Sequence, residues 1–130
     1  MCLYTKQICP QRARKDIVCY KKFYVWSSFL ETRYRLYRIV KPKENHPTLI
    51  DDTNTRLHSR SSIYRSEEGV RWQIWSGMIH AYKTKPVFRR SERGYPKIGL
   101  YKCIIPKGTL YYVGIDNDIC AKKMLIVEEV

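Results

Sequence analysis

The sequence predicts a mainly β or α+β fold, a single compact domain of about five to seven mostly antiparallel strands with a C-terminal hairpin. Three features carry this expectation. Residues 101–114 read as two short arms, rich in β-branched and aromatic residues, around a Pro106-Lys107-Gly108 turn. Residues 16–26 form a long extended run, Asp-Ile-Val-Cys-Tyr-Lys-Lys-Phe-Tyr-Val-Trp. Helical periodicity over ten or more residues is missing, apart from a weak pattern across residues 29–39.

Taken in order, residues 1–15 read as a basic arm, with Pro10 followed by Gln11-Arg12-Ala13-Arg14-Lys15. In 16–26, alternation puts Ile17, Cys19, Lys21, Phe23 and Val25 on one face and Val18, Tyr20, Lys22, Tyr24 and Trp26 on the other. Both faces are largely apolar, which suits a central strand whose lysines lie near an exposed end. Ser27-Ser28 marks a turn. Residues 33–40 resume a partial two-residue alternation, ended by Lys41-Pro42 because proline offers no ladder donor. Residues 43–68 are polar and read as a long loop, interrupted by a short strand near 48–50. Residues 70–76 alternate again, Gly77 suits a bulge, and 78–82 continue. Residues 83–97 read as a basic, exposed loop. After the hairpin, whose Pro106 sets φ at the first corner and whose Gly108 suits the last place of a type I turn, Asp116-Asn117-Asp118 are placed to cap one helical turn through Lys123. Residues 124–127 make the last strand.

The chain has 130 residues, five cysteines, eleven tyrosines and three tryptophans, with a formal net charge of +13. Tyr and Trp bury area while keeping a polar end, so they suit a core edge or a binding face. Residues 1–43 hold eleven Lys/Arg against Asp16 and Glu31, and residues 71–110 hold nine against Glu92. The segment between them is mildly acidic. Two basic blocks of this kind form one positive face if the fold joins them, and such a field attracts polyanions, chiefly nucleic acid, or an acidic protein partner. No apolar run is long enough to span a bilayer, and no secretory leader is evident, so neither a membrane nor export is expected. Cys2, Cys9, Cys19, Cys103 and Cys120 are then read as reduced thiols in a cytoplasm.

Catalytic and metal chemistry have little to stand on. The cysteines show no C-x₂-C spacing, and His46, His58 and His80 are not paired four residues apart, so no metal is expected. His80 with Cys103 is the one nucleophile–base pair that adjacent strands could bring together. Glycine-rich phosphate loops are absent and no cofactor is implied. Nucleic-acid binding needs Lys/Arg for phosphates and aromatics for bases. Both occur in Arg33-Tyr-Arg-Leu-Tyr-Arg38 and in Tyr82-Lys-Thr-Lys-Pro-Val-Phe-Arg-Arg90. The expected binding residues are therefore Arg33, Arg35, Tyr37, Arg38, Lys83, Lys85, Arg89 and Arg90, in a non-catalytic protein.

Four stretches carry a resemblance: Met1-Cys-Leu-Tyr-Thr-Lys-Gln7, Asp16-Ile-Val-Cys-Tyr-Lys21, Gly77-Met-Ile-His-Ala-Tyr-Lys83 and Lys102-Cys-Ile-Ile-Pro-Lys-Gly-Thr-Leu-Tyr-Tyr-Val-Gly114. The series resembles a group of small uncharacterised proteins encoded by phages and mobile elements of gut Bacteroidales-type bacteria. That likeness implies a setting, the cytoplasm of a bacterial host, in which the acidic partner would be an acidic host protein, and no reaction. The order of a Gly-x-x-His-x-Tyr strand, a connector, an Ile-Pro-Lys-Gly turn and a final strand also loosely resembles ADP-ribosyltransferase-like folds. Those bind NAD between two sheets and use a late Glu, which would make His80 a cleft residue. Glu128 and Glu129 follow the last strand and match no such motif. A virion or assembly component is the remaining alternative.

Overall fold

Runs of alternating inward and outward side chains, rather than helical stripes, build this molecule. The computed structural model describes residues 3–7, 9–32, 38–52, 60–66, 69–74, 78–88 and 97–130. They form β1 (Leu3–Thr5), β2 (Gln11–Arg12), β3 (Ile17–Val25), β4 (Phe29–Glu31), β5 (Arg38–Val40), β6 (Thr48–Asp51), β7 (Arg60–Ser66), β8 (Gly69–Ile74), β9 (Ile79–Tyr82), β10 (Lys97–Ile105), β11 (Leu110–Val113), β12 (Asp118–Ala121) and β13 (Lys123–Glu129). Among the described residues there is no helix, and every strand pair is antiparallel. The expected β domain is therefore what forms, with thirteen strands among the described residues where five to seven were expected.

The larger sheet runs β2-β11-β12-β9-β3-β10-β13-β6, with β4 joined to β3 and β5 to β4; the smaller runs β1-β8-β7. This order forces the large sheet to curl. Between β12 and β13 lie three strands, about 19 Å of flat sheet at about 4.8 Å per step. In sequence only Lys122 separates them, a link that reaches about 7 Å. The sheet rolls until the two strands meet, giving a partly open barrel. Lys122 sits in the seam: its N–H donates to the Leu110 carbonyl at 3.0 Å and its carbonyl accepts from the Asp52 N–H at 2.8 Å.

The rolled interior is the main core. It holds Cys19, Phe23, Tyr101, Cys103, Met124 and Ile126 among others, each at 5% exposure or less. Phe23 meets Tyr101 edge to face, with centroids 5.6 Å apart, a preferred geometry for aromatic pairs. A second cluster, Leu3, Met78, Tyr112 and Cys120, lies on the opposite face of the sheet, where Leu3 of β1 packs with Tyr112 of β11 and Cys120 of β12.

Several expectations are corrected. Residues 1–15 are not a loose arm: Leu3 and Thr5 are fully buried, and the Thr5 hydroxyl donates to the Val113 carbonyl at 2.7 Å. The 43–68 stretch contains β6, as expected, but also a tight reversal where Lys43 and His46 exchange backbone hydrogen bonds around Asn45 at φ 60, and then β7. Residues 38–40 form a strand, as the alternation across 33–40 favours, and pair with 29–31, so the weak helical pattern over 29–39 is not realised in the described part of that stretch. Asp118 opens β12 instead of capping a helical turn, because β9 offers it a ladder.

The turn after β10 exists, but its arms do not pair with each other. Both edges of β10 are taken, one by β3 along all nine residues and the other by β13. The Thr109 N–H donates to the Pro106 carbonyl at 3.1 Å and Gly108 has φ 88. A positive φ at that third position belongs to a type II turn, so Gly108 is a corner residue and Pro106 precedes the corner. The C-terminal hairpin is instead β11–β12, closed by the Gly114 N–H donating to the Asp118 carbonyl at 2.8 Å. A Cβ on Gly114 would lie 3.0 Å from that same oxygen, which is why the close crossing needs glycine here.

Candidate polyanion-binding face

Strand alternation sends neighbouring residues of β3 to opposite sides of the curled sheet. Cys19, Lys21 and Phe23 point into the barrel; Val18, Tyr20, Lys22 and Tyr24 point out. Pairing registers extend the outward set into rows across several strands. Tyr20 stands opposite Tyr82 of β9 and Lys102 of β10, and Lys102 stands opposite Glu128 of β13. Asp118, opposite Tyr82, closes the other end. A tyrosine pair with a lysine beside it thus lies between two carboxylates. Lys22 and Tyr24 add the next positions along β3, and all five side chains are half-buried.

The Lys22 ammonium sits 5.3 Å from the Tyr82 ring centre and 5.5 Å from that of Phe88. At this partial exposure such a contact is worth about 0.5–1 kcal/mol and holds the cation at the surface. One row further on, Val18, Ile104, Leu125 and Leu49 line up across four strands. Val18 and Leu49 are 45% and 48% exposed, so an aliphatic strip borders the tyrosine–lysine row. Aromatic, cationic and apolar groups thus share one outward surface.

The barrel interior holds a contrasting arrangement. Lys21 reaches across the seam where β3 changes partner from β9 to β4, and its ammonium donates to the His80 carbonyl at 2.6 Å. Burial, opposed by the nearby Cys103 and Cys19 thiols, pulls its pKa down to about 8. Cys19 and Cys103 are directly opposite one another in the ladder. Burial first, then the hydrogen bond with Cys19, raises the Cys103 thiol well above its usual range, and burial pushes Cys120 up to about 12. High thiol pKa values mark inert, packed cysteines rather than nucleophiles.

The residues expected from sequence fare unevenly. Arg33, Arg35, Tyr37, Arg89 and Arg90 lie outside the described residues. Arg38 is exposed but binds Glu31, Nε to Oε2 at 3.2 Å, and lies over the Phe29 ring. Lys83 donates its ammonium to the Gly114 carbonyl at 3.0 Å, bracing the β11–β12 hairpin. Lys85 is exposed, in the stretch between β9 and Phe88. His80 and Cys103 do not meet: Cys103 is inside the barrel, whereas His80 stands opposite Cys120 on the other face. The nucleophile–base pairing is thereby removed. Glu129 accepts from the Tyr101 hydroxyl at 3.3 Å.

The alternation of β3 groups Tyr20 with Lys22 and Tyr24, but nothing local to the sequence shows that this set faces outward or that Tyr82 and Lys102 stand beside Tyr20. Among the described residues no group of three or more His, Cys, Asp or Glu could hold a metal ion, and no helix is long and apolar enough to cross a membrane. No family model, curated protein or solved structure matches the chain.

Proposed function

We propose that the protein binds a polyanion, without catalysis, through the outward face of β9, β3 and β10. The observation that carries this reading is the row Tyr82–Tyr20–Lys102 with Lys22 and Tyr24 beside it, on a chain of net charge +13. Cations on a sheet neutralise phosphates or sulfates and release their counterions, so affinity falls as salt rises. The attraction is a property of the whole field, to which Lys85 and the arginines of the two basic blocks contribute. In the phage or mobile-element setting suggested by the sequence resemblance, such a protein would act on nucleic acid or on an acidic host component.

Titration of labelled DNA, RNA and heparin at low and physiological salt tests the reading. Affinity is expected to drop along a straight line in log K against log salt, and Lys102→Ala lowers the slope by about one. Undetectable binding of all three at low salt removes the proposal.

A further inference from the structure

We infer that the polyanion taken by this face is a single-stranded nucleic acid, with unpaired bases stacked on Tyr20, Tyr82 and Tyr24 and phosphates met by Lys22 and Lys102. The inference rests on the polyanion reading and narrows it. Its basis is the kind of groups that the registers bring together. Charge alone would suit heparin, duplex or single strand equally, and a surface built only for charge has no use for three half-exposed tyrosines in its centre.

Tyr20 and Tyr82 face each other across a ladder step, so their side chains start about 5 Å apart. Tyr24 is two outward positions beyond Lys22's neighbour Tyr20, about 13 Å along β3. Flat rings spaced in this way offer faces to successive or alternate bases, with lysines between them to follow the backbone. A duplex keeps its base faces stacked inside and cannot use these rings.

The resting contact of Lys22 over Tyr82 is compatible with this use. A phosphate draws the ammonium off the ring, and a stacked base replaces it in a contact that is stronger than an exposed cation–π pair. Glu128 and Asp118 at the two ends of the row repel phosphates and confine the strand to the tyrosine–lysine stretch between them.

Fluorescence anisotropy with a labelled oligothymidine, a duplex of equal phosphate count, and heparin as competitor tests the inference. The single strand is expected to bind at least about tenfold tighter than the duplex. Tyr20→Ala weakens single-strand binding by about five- to a hundredfold, Tyr20→Phe preserves it, and heparin affinity stays within about twofold in both. Retained binding by Tyr20→Phe shows that the face is intact. Equal affinity for all three ligands, unaffected by Tyr20→Ala, overturns the inference and leaves the polyanion reading standing. Loss of all binding in the unmodified protein overturns both.

Discussion

Lys21 and Lys22 are adjacent in the chain, carry the same charge and belong to the same strand, yet they live in opposite chemistries. Lys21 is turned into the barrel, where it satisfies the His80 carbonyl beside two thiols. Lys22 is turned out over the rings of Tyr82 and Phe88. One is part of the core's hydrogen bonding, the other part of a surface field. The lesson concerns net charge: a formal +13 counts Lys21 equally with Lys22, whichever way each side chain is turned. What a ligand meets is set by the period of two.

The largest test of that inside–outside contrast is a pair of truncations on neighbouring positions. Phe23→Ala is expected to cost about 3–5 kcal/mol, since it empties the centre of the main core. Tyr24→Ala, half-exposed on the outer face, is expected to cost about 1 kcal/mol or less. Midpoints of urea unfolding give both numbers, with Phe23→Leu as a milder substitute if the alanine variant does not fold. Similar costs at the two positions would erase the distinction.

A second effect, up to about 3 kcal/mol, separates the lysines by pH. Lys21 titrates near 8 when folded and near 10.5 when unfolded. Between those values the unfolded chain holds a proton that the folded one lacks, so this contribution to stability rises as pH goes from about 8 to about 10.5 and shrinks again on return. The raised thiols of Cys103 and Cys120 act oppositely: the unfolded chain ionises first, and stability falls as pH climbs past the ordinary thiol range. Subtracting the profile of Lys21→Met isolates the lysine, and a difference that is flat with pH would place its ammonium in water.

Lys22→Ala should cost about 1 kcal/mol, the worth of its contacts with the Tyr82 and Phe88 rings, and lower the salt slope of nucleic-acid binding by about one. Should it prove as destabilising as a core change, the outer face is structural and the contrast collapses. Smallest of all, Asp116→Asn should lower the carboxyl pKa of Asp118, which burial and then Asp116 hold above its usual value. Because a raised carboxylate pKa weakens the fold once pH exceeds it, the variant gains a few tenths of a kcal/mol at neutral pH. NMR titration of the Asp118 carboxyl reads the shift directly.

Much of β3 was legible beforehand, because a strand's faces follow from counting by two. The count separates Val18, Tyr20, Lys22 and Tyr24 from Cys19, Lys21 and Phe23, but with both sets largely apolar it does not say that the second is the buried one. Depth was not legible: Lys21 and Lys22 looked alike as marks of an exposed end, and only the change of partner strand shows that one plugs a seam. Long-range register was not legible either. Nothing local to residues 101–114 says that β10 gives both edges to other strands, and so a good turn was mistaken for a hairpin. The binding face was sought where basic and aromatic residues are dense in sequence. Among the described residues the face proposed above is assembled from single residues of β3, β9 and β10, each unremarkable alone.

The one-residue seam at Lys122 also has a kinetic meaning. Residues 17–25 emerge early in synthesis, but the ladder that seals their longer edge comes from residues 97–105, and the roll cannot close until residues 123–129 arrive. Topologies dominated by such distant pairings fold slowly, because chain closure must be achieved before any contact rewards it. Until then the nascent chain carries an apolar strand with open edges, a state that favours association with other copies. The geometry that makes the finished barrel compact thus leaves its making exposed, and the interval before the last strand docks is when this chain is most open to capture.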